Sequence, residues 1–265
     1  MGAKKVKRTF IVLVLSFMIF NLFISMASNS YFLGKVLKNN YFLTVELQNN
    51  LKLPQIEEFE KFLLKNNSVK GLRYLDKTEA FRNLQKELEI IIPKSENPLP
   101  NSIIVSFNNE NDIHVVQELL DVNPNVREIY IDSKFLQSTQ MKVSAVNTSL
   151  FLFLFFAGSM FFLISTTLRG NIFKDYTMYA IKNSQNPKNY MVARNKNLIP
   201  FIVSAIIGNL LFFNIYIILR DKLLILLPNL ILQSFKQLFF IEFIAVLIVI
   251  VVSWKATAKV KKEEV

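Results

Sequence analysis

The sequence predicts an α+β membrane protein in which four transmembrane helices carry one extracytoplasmic domain built from two β-α-β units. Three observations predict it. Four apolar runs each approach the roughly 20 residues that cross a hydrocarbon core as a helix. Lysines and arginines gather at one set of ends of those runs. The long segment between the first two runs changes from strand-like alternation to helix-like periodicity and back, twice. With 52% hydrophobic residues, 25 phenylalanines and no cysteine, the chain is too apolar for an ordinary soluble domain.

A basic tail, 1–8, holds Lys4, Lys5, Lys7 and Arg8 ahead of the first span, 9–28. The span's apolar run exceeds the ~7–15 residues of a secretion-signal core, so it reads as a retained helix. The extracytoplasmic domain, 29–147, opens with YFLTVELQNN (Tyr41 to Asn50), whose alternation is that of a half-buried strand. Pro54 to Asn67 follows as a helix with Ile56, Phe59, Phe62 and Leu63 on one face and Pro54 in its first turn. Val69 to Lys77 is a second strand. The pattern then returns: Asn101 to Glu110 as strand, Asn111 to Val122 as a helix facing inward through Ile113, Val116, Leu119 and Leu120, and Val126 to Lys134 as strand. Two such units make a four-stranded sheet with helices on one face, the ferredoxin-like arrangement.

An inserted lobe at about 76–100 separates the two units. Its helix, Thr78 to Glu89, leads through three isoleucines into Asn97-Pro98-Leu99-Pro100. The two prolines fix φ and bias Asn97 and Leu99 toward extended backbone, so this turn is a rigid junction into the strand beginning near Ser102. Phe81, Leu84, Leu88, Ile91 and Ile92 offer more apolar surface than a short insertion readily buries, which marks a docking patch for the seam of a coiled coil. Packing on the adjacent sheet is the competing reading.

The second span is 148–168, followed by an inner loop, 169–197, the third span, 198–219, an outer loop, 220–237, the fourth span, 238–254, and a tail, 255–265. The outer stretch Leu223 to Leu232 is short and broken by Pro228, and so reads as lying at the membrane surface. Small residues at Ser204 and Gly208, and at Gly158 and Ser159, are expected to let helices approach closely. Trp254 reads as an interfacial anchor. Glu242, four residues into the last span, is expected to pair with Lys236 or Arg220 near the outer surface.

Charge sets the orientation. Residues 29–147 hold 14 Lys plus Arg against 15 Asp plus Glu, a net of −1, and the remainder holds 17 against 5, a net of +12. Both tails and the loop 169–197 are therefore placed in the cytoplasm. The basic balance is a topology signal and does not point to nucleic acid. No cysteine, one histidine (His114, on a helix surface) and no phosphate-binding glycine loop leave no set of residues for a metal site, a nucleophilic triad or ATP hydrolysis. No catalytic residue, metal or cofactor is expected. Within the inner loop, Asn171 to Lys182 is amphipathic, with Ile172, Tyr176 and Tyr179 in one stripe and Phe173 beside it. A contact surface for a soluble partner and a helix resting on lipid headgroups fit it equally.

The paired β-α-β units around an inserted lobe, the run ENPLPNSIIVSF opening the second unit, the flanking VKGLRYLDKTEAFRNLQKEL and VREIYID, and the one large outer domain after the first helix resemble the FtsX family of bacterial cell-division permeases. The resemblance covers nearly the whole chain, and Asn97-Pro98-Leu99-Pro100 is its most specific part. Thr167-Leu168-Arg169 and Pro200-Phe201 also fit, whereas Asn183-Ser184-Gln185 and Ser204-Ala205 depart from the family pattern. The resemblance implies a homodimer in the bacterial cytoplasmic (inner) membrane, without enzymatic activity of its own. It implies that an FtsE-like cytoplasmic ABC ATPase binds through Arg169, Ile172, Phe173, Tyr176 and Tyr179. It further implies that a coiled-coil peptidoglycan hydrolase, or its activator, binds outside at the lobe. A membrane scaffold or sensor of the division machinery that needs no ATPase is the alternative.

Overall fold

A computed structural model describes residues 2–89, 93, 97–183, 188–227 and 230–258, with backbone alone at 2–7 and 183. The elements run α1 (Gly2–Lys38), β1 (Phe42–Leu47), α2 (Leu53–Leu64), β2 (Val69–Leu75), α3 (Lys77–Leu88), β3 (Ser102–Phe107), α4 (Glu110–Asp121), β4 (Val126–Tyr130), α5 (Ser133–Asn183), α6 (Lys188–Leu226) and α7 (Phe235–Ala258). The chain divides into two units, Met1–Leu33 with Asn147–Val265, and Gly34–Val146.

The second of these is the α/β domain. Its sheet has the order β2-β3-β1-β4, with every neighbouring pair antiparallel. β1 and β2 thus run in the same direction with β3 between them, which makes β1-α2-β2 a split β-α-β unit. Leu43, Val45 and Leu47 of β1 and Ile103, Val105 and Phe107 of β3 point to one face. Ile56, Phe59 and Leu63 of α2 and Ile113, Val116 and Leu120 of α4 close over them. Phe62, expected among the inward residues, is exposed: the face is set by positions 56, 59 and 63, and Phe62 only stacks on Phe59 at 6.3 Å. α2 starts where the Lys52 N–H donates to Gln55 Oε1 (2.9 Å), and α4 carries Glu110 and Asp112 in its first turn, where the helix dipole favours acids.

The first unit is helical. Four helices, Arg8–Lys38, Ser133–Lys182, Lys188–Leu226 and Phe235–Ala258, are long and apolar enough to cross a membrane. They outrun the hydropathy-defined spans: α5, at 51 residues, is about 76 Å long against a hydrocarbon core of ~30 Å. Hydropathy locates the lipid-compatible part of a helix, whereas capping and breaking residues locate its ends. Most of the expected inner loop, 169–197, is accordingly helical, and α6 continues through Arg220 to Leu226 where a surface segment was expected.

Candidate functional site

The proline turn is a clamp as well as a stiff link. Asn97 Oδ1 accepts from the Leu99 N–H (2.9 Å), and Asn97 Nδ2 donates to the Lys77 carbonyl (2.9 Å). One step on, Asn101 Oδ1 accepts from the Lys77 N–H (3.0 Å), and the Asn101 carbonyl accepts from the Leu47 N–H (2.9 Å). Both backbone groups of Lys77, the first residue of α3, are thereby tied to the chain entering β3, and through Asn101 to β1. Asp76 caps the same helix, its Oδ1 accepting from the Thr78 N–H (2.7 Å). The backbone and hydroxyl bonds from Thr78 hold the Asp76 carboxyl below its usual range. Pro98 is exposed and Pro100 buried.

The lobe does not present its apolar residues as one open patch. Phe81 is only 3% exposed and Leu84 half-buried, while Leu88 is 56% exposed. Phe81 is therefore enclosed and does not stand open for docking. Ile91 and Ile92 lie outside the described residues.

The apolar stripe of α5 is revised in the same way. Ile172 is 1% exposed, in a cluster with Leu13, Leu168, Ala193 and Phe201, and Tyr176 and Tyr179 pack against that cluster. Tyr176 meets Tyr190 of α6 edge-on at 5.8 Å. The stripe Ile172-Tyr176-Tyr179 is thus an internal seam. Arg169 and Phe173 are exposed, and the open apolar face of α5 continues through Met178 to Ile181, which is 80% exposed. Met178 and Ile181 went unmarked in the sequence, although the offsets of Ile181, eight from Phe173 and three from Met178, carried the signal.

The start of α6 is tied to the end of α7. Arg194 lies 4.1 Å above the Trp254 ring and donates to the Trp254 carbonyl (3.2 Å) and to Thr257 Oγ1 (3.1 Å), so a cation sits at the C-terminal end of α7. Trp254 is therefore a packing partner within the unit. Asp175 accepts from Asn197 Nδ2 (3.0 Å) and faces Lys196 Nζ at 3.4 Å. At the other end of the bundle Gln233, unmarked in the sequence and two residues ahead of α7, joins α1 to α6. Its N–H donates to Asn29 Oδ1 (3.0 Å), its carbonyl accepts from Arg220 Nη1 (2.9 Å), and Ser28 Oγ donates to its Oε1.

Between these ends α1 and α6 touch backbone to backbone. A Cβ on Gly208 would lie 2.7 Å from Phe17 Cβ and 2.7 Å from the Val14 carbonyl oxygen, and Asn21 Nδ2 donates to Asn209 Oδ1 (3.2 Å) one position on. Ser204 is fully buried, as its small-residue spacing predicted. Gly158 is different: it is exposed, nothing would lie within 4 Å of its Cβ, and the expected close approach there is absent. Glu242 is fully buried, and neither carboxylate oxygen has a hydrogen-bond partner among the described residues. The expected ion pair does not form, because Arg220 is directed to Gln233 and Lys236, exposed, lies about 240° around the helix from Glu242.

The chain combines four helices long and apolar enough to cross a membrane with one large α/β domain. Residues 40–141 match the family model of the FtsX extracellular domain. Extracellular domain 1 of FtsX from Streptococcus pneumoniae, crystallised in complex with undecyl-maltoside, is 18% identical over 35% of this chain and 95% of that one, with a TM-score of 0.31. The solution structure of the large extracellular loop of FtsX from the same organism is 18% identical over 34% of this chain and 98% of that one, with a TM-score of 0.29. No curated protein matches the chain.

Proposed function

We propose that this chain is the permease-like membrane subunit of a cell-division ABC complex, passing an ATP-driven conformational change from a cytoplasmic ATPase to an extracytoplasmic peptidoglycan hydrolase or its activator. The match of residues 40–141 to the FtsX extracellular domain is the observation that carries this reading. The excess of basic residues in both tails and across 169–197, the end of α5 and the start of α6, supports cytoplasmic termini and an outer α/β domain. The strand order β2-β3-β1-β4 supports a ferredoxin-like domain.

The exposed residues Arg169, Phe173, Met178 and Ile181 form the ATPase-facing surface in this reading, since the Ile172-Tyr176-Tyr179 stripe is occupied by the chain's own helices. Leu88, exposed at the end of α3, belongs to the hydrolase-facing surface in this reading. The apolar length of α5 is largely exposed within a single chain, which supports lipid contact and a homodimer through that helix. The test is co-expression with an FtsE-like ABC ATPase, followed by purification in detergent. Wild type is expected to retain the ATPase, Phe173→Asp with Ile181→Asp to lose it, and Tyr31→Ala on α1 to retain it. Retention by the Phe173/Ile181 double variant rejects this coupling surface.

A further inference from the structure

Where the ends of α1, α5 and α6 meet, a cleft of about 470 Å³ opens. Phe10 and Leu13 of α1 and Ile199 and Phe201 of α6 give it apolar walls. Asn171, Lys174, Asp175, Lys196 and Asn197 give it a polar rim on one side. We infer that this cleft is a binding site for one anionic phospholipid of the cytoplasmic leaflet, its acyl chain lying along Phe10, Leu13 and Phe201 and its phosphate between Lys174 and Lys196.

Four features lead to this occupant. The first is depth: Thr9, Leu168 and Pro200 stand at the basic-side ends of three apolar runs, where a leaflet's phosphates meet its hydrocarbon. The second is charge: the rim carries two lysines against one carboxylate. Asp175 partly neutralises Lys196 at 3.4 Å, while Lys174 is exposed and opposes no carboxylate among the described residues. An anion is therefore favoured over a zwitterion, as in basic pockets between membrane helices on the cytoplasmic side. The third is shape. One turn of a helix with side chains fills roughly 420–610 Å³ for a diameter of ~10–12 Å and a pitch of ~5.4 Å, so the cleft admits a single chain or about one turn, but not a partner helix. The fourth is backbone chemistry: Pro200 lies inside α6 and has no N–H, so the Lys196 carbonyl at the rim lacks its usual helical donor and suits a headgroup hydroxyl, which phosphatidylglycerol has and phosphatidylcholine lacks. The neutral rim amide of Asn171 suits the glycerol and ester oxygens below the phosphate.

The site rests on the membrane reading proposed above, and the experiment separates the two. Full-length protein is mixed with vesicles of phosphatidylcholine containing or lacking phosphatidylglycerol, floated, extracted into detergent and weighed intact by native mass spectrometry. Flotation tests the membrane reading alone, and failure to float rejects both. In floated wild type, one phosphatidylglycerol retained per chain in preference to phosphatidylcholine is expected. Lys174→Gln is expected to lower that retention about fivefold, the effect of one lysine near a charged lipid surface. Ile199→Trp, which fills the mouth from an exposed position, is expected to abolish it, and Lys65→Gln in the α/β domain to leave it unchanged. Equal retention of both lipids, or no loss in Lys174→Gln, overturns the proposal. So does an Ile199→Trp variant that loses a dimer mass and keeps the lipid, which assigns the cleft to a second copy.

Discussion

Gly208→Ala is expected to damage the helical unit although it introduces only a methyl group. The added carbon would stand 2.7 Å from Phe17 Cβ, 2.7 Å from the Val14 carbonyl oxygen and 3.2 Å from the Met18 nitrogen. Ordinary carbon contacts lie at about 3.5–4.0 Å, so α1 must withdraw by close to 1 Å. No rotamer change relieves this, because two of the three atoms belong to the α1 backbone and the third is a Cβ. Overpacking of this kind costs about 1–3 kcal/mol. Withdrawal also stretches the bond between Asn21 and Asn209, now 3.2 Å, whose loss adds about 0.5–1.5 kcal/mol. The control is Gly158→Ala. Nothing lies within 4 Å of a Cβ at that exposed helical site, and the alanine should add about 0.5–1 kcal/mol through helix propensity. Equilibrium denaturation of both variants in detergent micelles, followed by circular dichroism, should thus shift them in opposite directions. Equal stability of the two, or stabilisation by Gly208→Ala, would refute the close packing of α1 on α6.

Three further predictions concern the α/β domain. Asn97→Ala removes the acceptor for the Leu99 N–H and the donor to the Lys77 carbonyl. Hydrogen exchange should accelerate at the start of α3 while β1 and β3 keep their protection, and uniform exchange would deny the clamp. Phe81→Ala should cost about 3–5 kcal/mol, as for a buried phenylalanine, whereas Leu88→Ala should stay within about 0.5 kcal/mol in urea titrations. The Asp76 cap should show a defined pH dependence. Its folded pKa lies below the unfolded value of 3.8, so its stabilisation is complete above pH 3.8 and fades as pH falls through the folded pKa. In Asp76→Asn that part of the acid-unfolding curve should disappear.

The parts of this structure that were legible in the sequence follow from periodicity. Alternation at Leu43, Val45 and Leu47 and at Ile103 and Val105 placed the two central strands. The spacing of Ile56, Phe59 and Leu63 placed the helix above them. Helix ends were less legible, since α5 and α6 continue where apolarity stops but no breaker intervenes. Amphipathicity revealed the two faces of α5 without saying which would be covered. Ile172 and Phe173 are equally apolar neighbours, and only the packing of α6 decides that the first is enclosed and the second open. The same holds for Gly158 and Gly208, alike as residues and unlike in their surroundings. Gln233 and the Glu242 carboxylate depended on contacts across long sequence separations, which a local pattern does not encode.

Crosslinked affinity capture of the tagged protein from its native membrane, with the partners identified by mass spectrometry, addresses the central claim most directly. The account predicts a soluble ABC ATPase and a coiled-coil cell-wall hydrolase or activator with the wild type, the ATPase being lost when Phe173 and Ile181 are both replaced by aspartate. Recovery of neither partner with the wild type would contradict transmission across the membrane and leave a scaffold or sensor of the division machinery as the better account.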